Sequence, residues 1–203
     1  MMIRRVVTGH DAEGKARVVD DGEVEPITSE LMPGCAAYRL WGRDERPVYP
    51  DDGSPRRAEA YFPPRDGSRF MVNTILPGEL VPPSDLDVAA ARAELERQMP
   101  GAAATMEPDA PGMHTTDSLD YVLVAAGEVT LELDDGERTV LRAGDVVVQN
   151  GTRHAWRNHG TQTCTIVGVA IGADRIRPAQ LTRPAPGNPR RATPQGTRPG
   201  AFG

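Results

Sequence analysis

Two stretches decide the fold: GMHTTDSLDYVLVAAG at residues 112–127 and GDVVVQNGTRHAWRN at residues 144–158. In the first, Asp120–Gly127 reads as an apolar strand. Glu128–Leu133 continues with strict alternation, which turns Val129, Leu131 and Leu133 toward a core and their neighbours toward water. Asp135-Gly136 is a strong hairpin signal, and Arg138–Leu141 returns from it. Ala143-Gly144-Asp145 turns into Val146–Val148, and Gly151-Thr152 turns into His154–Asn158. Asn158-His159-Gly160 then leads to the apolar run Cys164–Ile171. Short strands at such even spacing predict an antiparallel sandwich or barrel.

The preceding residues add elements around that unit. Ile3–Val7, Ala16–Val19 and Ala36–Trp41 read as strands, with Asp20-Asp21-Gly22 as a turn after the second. Residues 50–68 are rich in Pro, Gly, Asp and Arg and read as loop. Arg69–Leu76 is a strand closed by Pro77-Gly78. Ser84 and Asp87 resemble a capping box, and Val88, Ala91, Leu95 and Met99 fall on one helical face before Pro100-Gly101 ends it. Such a helix covers one side of a sheet; a lid or a dimer contact is the alternative. The expected organisation is an N-terminal strand extension and loop at 1–68, a barrel at 69–175 with a helical insertion at about 82–110, and a disordered tail at 176–203.

The 203 residues, 38% apolar and 26% charged, suit one domain with one core, while 21 Gly and 19 Pro put much of the chain into turns and loops. No apolar run approaches the roughly 18 residues of a membrane span, and the N-terminus lacks a secretory apolar region. Cys35 and Cys164 are too few for a disulfide framework, so a reduced, cytoplasmic setting is expected. The net charge of -6 hides a basic tail: residues 176–203 hold five Arg, six Pro and no acid. The acidic remainder argues against nucleic acid as a partner, and the prolines forbid regular structure in the tail. No dinucleotide fingerprint, phosphate loop or Gly-x-Ser-x-Gly elbow occurs.

The chemistry lies on the inward face. If residues 114–124 are extended, His114, Thr116, Asp120, Val122 and Val124 share one parity; His154, Trp156 and Asn158 share another. A barrel brings both faces around one cavity. Two imidazoles and a carboxylate there can hold a divalent ion and leave positions open for substrate, water or oxygen. His114, Asp120 and His154 are therefore the candidate metal ligands and catalytic residues. Asp120 has a second possible role as a proton acceptor, because burial raises a carboxyl's pKa. Trp156, Thr116 and Val122 are the candidate substrate contacts. Trp156 can also be plain core, and the histidines can be satisfied polar residues of a metal-free barrel. Asn158 is expected to bond turn backbone and Cys164 to be a buried small residue. His10 and His159 are expected to be solvated.

The arrangement resembles the cupin superfamily. Gly112, His114, Thr116, Asp120 and Gly127 follow the first cupin motif, and Gly144, Gly151, His154 and Asn158 follow the second. Thr116 stands where that motif has a second histidine, Asp120 where it has glutamate, and Gln149 where it has proline. The stretches 4–11, 118–121 and 151–158 are similar to a subgroup found beside polyketide and other secondary-metabolite enzymes, some of them termed oxidoreductases. The resemblance implies an all-β double-stranded β-helix (a jelly-roll barrel), a homodimer, a small-molecule substrate, and one divalent metal, with Fe, Zn, Mn and Ni all open. It leaves three functions: Lewis-acid and proton-transfer chemistry such as dehydration, cyclisation or isomerisation; oxidation with Fe(II) and oxygen; or non-catalytic binding by a barrel with a decayed metal site.

Overall fold

The alternating and β-branched runs pair into two antiparallel sheets in the computed structural model, which describes residues 1–78 and 83–176. The larger sheet has the order β3 (Ala36–Arg43), β4 (Ser68–Ile75), β10 (Cys164–Gly172), β5 (Ser118–Ala126) and β8 (Val146–Asn150). The smaller joins β7 (Arg138–Arg142), β6 (Glu128–Glu132) and β9 (Ala155–Arg157). This is the expected jelly-roll barrel. Val122 and Val124 of β5, Ile166 and Cys164 of β10, and Val129, Leu131 and Leu141 of the small sheet form the core between the two. Thr130 is buried too, flanked by β7 and β9. At the Asp134–Gly136 turn, Asp135 and Gly136 both take positive φ (53° and 76°). Asp and Gly tolerate that region best, so the hairpin signal is realised directly.

β1 (Ile3–His10) and β2 (Ala16–Val24) form a separate hairpin whose Ile3 and Val24 lie over Tyr38, Leu40 and Val72 on the outer face of the large sheet. The turn expected at Asp20–Gly22 is absent, and β2 runs straight through it. Cross-strand ion pairs keep this polar stretch extended: Arg4 to Asp21 and Arg5 to Asp20, both at 2.6 Å. A bulge at Val7/Thr8 absorbs the irregularity.

The helix α1 (Val88–Gln98) starts one turn later than the capping box implied. Asp87, not Ser84, is its N-cap, its Oδ1 accepting from Ala90 N at 3.0 Å. Only the C-terminal end docks, through Leu95 and the C-cap Met99 against Tyr61, Met71 and Ala170; Val88 stays exposed. The tail from residue 177 onward lies outside the described residues.

Two carboxylate–arginine knots pin the 44–61 loop to the sheet. Arg69, wholly buried on β4, donates to the carbonyls of Ala60, Arg43 and Ser68 and to Asp44 Oδ1 at 2.5 Å. Asp51 accepts from Gly53 N (2.8 Å), Arg43 and Arg56 (3.1 Å each), which hold its carboxyl down at about 2. The folded state thus binds this proton more weakly than the unfolded chain, whose carboxyl titrates near 4. Asp51 should stabilise the fold fully above about pH 4 and lose that contribution as the pH falls toward 2. Urea midpoints measured across that range should fall, and Asp51→Asn should flatten the slope; an unchanged slope refutes the assignment.

Candidate functional site

His114 and His154 are direct cross-strand partners although forty residues apart. His114 N donates to His154 O at 2.9 Å and His154 N to His114 O at 3.0 Å, an isolated hydrogen-bonded pair. Met106 pairs with His114 on the other side, so the segment after α1 completes a narrow ladder. Paired residues project to the same face. The two rings lie 4.2 Å apart between centroids, tilted by 49°.

Each ring is oriented by the same local device. His114 Nδ1 lies 3.0 Å from Gly112 O, and His154 Nδ1 lies 2.9 Å from Thr152 O. A carbonyl only accepts, so Nδ1 carries the proton in both rings and Nε2 keeps its lone pair. Gly112 makes its own turn possible: its φ is +79°, and a Cβ there would sit 2.7 Å from Arg157 Nη1. Burial lowers both imidazole pKa values, opposed at His114 by the Gly112 bond and the Asp120 charge. At His154 burial and the neighbouring His114 push it down to about 4. Both rings are therefore neutral ligands-in-waiting near neutral pH.

Asp120 sits on β5 between Ala170 and Gln149. Its Oδ1 is buried without a hydrogen-bond partner. Burial raises its pKa, while the Ser118 hydroxyl and the His114 ring pull it back. That hydroxyl donates to Thr116 Oγ1 at 3.0 Å and can rotate between the two acceptors. An orphaned carboxylate oxygen invites a cation or a proton. Among the described residues, however, no three His, Cys, Asp or Glu side chains gather closely enough to hold one ion. The fold brings the two imidazoles together and leaves Asp120 as a neighbouring charge.

The remaining candidates fall as follows. Thr116 is buried beside Ser118, Val122 belongs to the core, and Trp156 packs against that core, edge-on to His154 at 5.7 Å. Asn158 bonds the carbonyls of Ile75 and Gln162 at 2.8 Å each, the expected backbone role. Cys164 is fully buried, its thiol pushed up to about 11. His159 is exposed, but His10 is not free: its Nδ1 lies 2.9 Å from Asp51 O, because the hairpin leans on the 49–53 loop. Sequence reading missed Arg175, which bonds Asp117, Thr116 O (2.8 Å) and Gly151 O (3.0 Å), tying the His114 segment to the His154 segment. Nothing local marks it, since its partners, one carboxylate and two backbone carbonyls, are all distant in sequence. An open groove of about 470 Å³ lies elsewhere, between β1, β3 and the 49–53 loop.

Fold and site together define a small double-stranded β-helix with a histidine pair at its heart. Residues 102–170 match the family described as Cupin domain. The chain is 56% identical over 46 residues to phomopsin biosynthesis cluster protein C′ of Diaporthe leptostromiformis, covering 23% of this chain and 24% of that one. It is 31% identical over 160 residues to the cupin-domain-containing oxidoreductase srdB of Neurospora crassa, covering 76% and 65%. A solved Cupin 2 conserved barrel domain protein from Salinispora arenicola is 16% identical, with a TM-score of 0.38 over 76% of this chain and 92% of that one. The chain thus spans about a quarter of the phomopsin cluster protein and just under two thirds of srdB.

Proposed function

We propose that this chain is a cupin enzyme of secondary metabolism that transforms a small, aromatic or polyketide-like metabolite by proton transfer beside a divalent metal. The observation that carries the reading is the donor set: two neutral imidazoles with open Nε2 atoms on paired backbone, next to a buried carboxylate oxygen with no partner. His114 and His154 would hold the ion, with Asp120 beside them. A bound ion supplies Lewis acidity toward a carbonyl or enol oxygen. Asp120 Oδ1, buried and without a hydrogen-bond partner, accepts a proton from the substrate. Dehydration, cyclisation and isomerisation all fit this arrangement. The biosynthesis-cluster name of the phomopsin relative supports the setting in secondary metabolism.

A second reading, Fe(II)- and oxygen-dependent oxidation at the same residues, is favoured by the srdB relative, which is named an oxidoreductase. Metal analysis of protein purified without added metal, with an oxygen electrode, separates the two. Zinc, nickel or manganese without oxygen uptake supports the first; iron with oxygen uptake supports the second. Protein that takes up no divalent ion even when it is supplied refutes both.

A further inference from the structure

The β1–β2 hairpin rests on the rest of the fold at two places. At one end Ile3 and Val24 lie on Tyr38, Leu40 and Val72. At the other, His10 N donates to Asp51 O at 2.8 Å, and Gly9 comes so close to the 49–53 loop that a Cβ there would collide with the Asp52 carbonyl. Between these anchors lies the open groove of about 470 Å³, a volume typical of small-molecule sites. Trp41 and Phe70, cross-strand partners on β3 and β4, share one face and both line it. Tyr49 and His10 line its loop end, their rings 6.4 Å apart. Phe70 keeps 40% exposure and Tyr49 71%, so aromatic surface stands in water here in a chain with only 4% aromatic residues.

We propose that this groove binds a small aryl carboxylate, its ring among Trp41, Phe70 and Tyr49 and its two oxygens on the Nε/Nη2 edge of Arg5. The Arg5 guanidinium is the first argument. Its Cζ lies 5.5 Å from the Trp41 ring centroid, Nη1 donates to Leu40 O at 3.1 Å, and Nη2 to Asp20 Oδ2 at 2.6 Å. Nε is shielded from water and has no partner among the described residues. Nε and Nη2 form the edge that takes a carboxylate with both oxygens. Arg4 shows that edge filled: its Nε and Nη2 bond the two oxygens of Asp21 at 2.6 and 2.7 Å. Asp20 serves only half of the Arg5 edge. It is 47% exposed, so its release to water in exchange for a two-oxygen ligand costs little. Charge is the second argument. The groove is lined by two guanidiniums, Arg5 and Arg43, against one carboxylate, in a chain of net charge -6. That carboxylate, Asp51, already accepts from Gly53 N, Arg43 and Arg56. A cationic ligand would meet the arginines, and an uncharged one would leave the Nε donor unpaired.

Equilibrium dialysis of the full chain against naphthoate tests this, independently of the chemistry proposed for the histidines. Wild type should bind with a dissociation constant of roughly 100 µM, and the uncharged analogue naphthylmethanol about tenfold more weakly or worse. Arg5→Lys keeps a cation for Asp20 but has no two-donor edge, and should weaken naphthoate on the order of tenfold. Asp20→Asn frees the edge and should tighten binding about threefold. Asp21→Asn removes the same charge beside Arg4 and should leave the affinity unchanged. His154→Ala, in the barrel, should also bind as wild type does. Should Arg5→Lys lose its far-ultraviolet dichroism, Tyr49→Ala, at an exposed position, replaces it with the same expectation. No binding of naphthoate at millimolar concentration overturns the proposal. So does equal affinity for naphthylmethanol, or binding that the folded groove variant leaves intact.

Discussion

His114→Ala and His154→Ala are each expected to lower divalent-metal affinity by on the order of a hundredfold or more. Losing a partner that merely orients a ligand already costs 10- to 100-fold, so losing the ligand itself costs at least that. The site offers no replacement, since among the described residues no third His, Cys, Asp or Glu gathers with this pair. Titration of Zn(II) or Mn(II) into each purified variant, followed calorimetrically, reads the effect. His159→Ala, at an exposed position, should bind as wild type does. Gly112→Ala should fall between the two: a side chain is strained at its φ of +79°, and relief of that strain shifts the carbonyl that orients His114. Both alanine variants keeping stoichiometric metal, with intact circular dichroism, would falsify the site.

The largest effect on stability is expected at Asp44. Among the described residues its carboxylate is the sole anionic partner of Arg69, whose side chain is completely shielded from water while Asp44 keeps 20% exposure. Removing one member of a buried ion pair strands the other, at a typical cost of about 3–5 kcal/mol. Water reaching the Asp44 position offsets part of this, so Asp44→Ala should cost about 2–3 kcal/mol and lower Tm by roughly 8 °C. Arg69→Lys should be no milder: one ammonium cannot reach the Ala60, Arg43 and Ser68 carbonyls that the planar guanidinium serves at once. Differential scanning calorimetry decides it. A change below about 0.5 kcal/mol for Asp44→Ala would mean that water already solvates the guanidinium.

What was legible in the chain was local. Alternation in Glu128–Leu133, the Asp135-Gly136 turn and the shared parity of Thr116, Asp120, Val122 and Val124 all follow from a strand's two-residue period and from which residues tolerate positive φ. The spaced glycines and histidines carried the cupin resemblance for the same reason: each marks a turn or an inward position that needs that residue type. Local rules also misled. Asp20-Asp21-Gly22 has turn composition but lies within β2, because arginines on the facing strand supply the charges it needs.

The local pattern of the chain set the elements, their inward faces and the cupin resemblance. Only the closed barrel decided that His114 would pair with His154, that Asp120 would stand beside them rather than among them, and that Arg69 would be sealed under the 44–61 loop. Such pairings join residues 25 to 40 positions apart, and their register depends on how the intervening strands cross between sheets. Periodicity specifies which way a side chain points, but not which distant side chain it will meet.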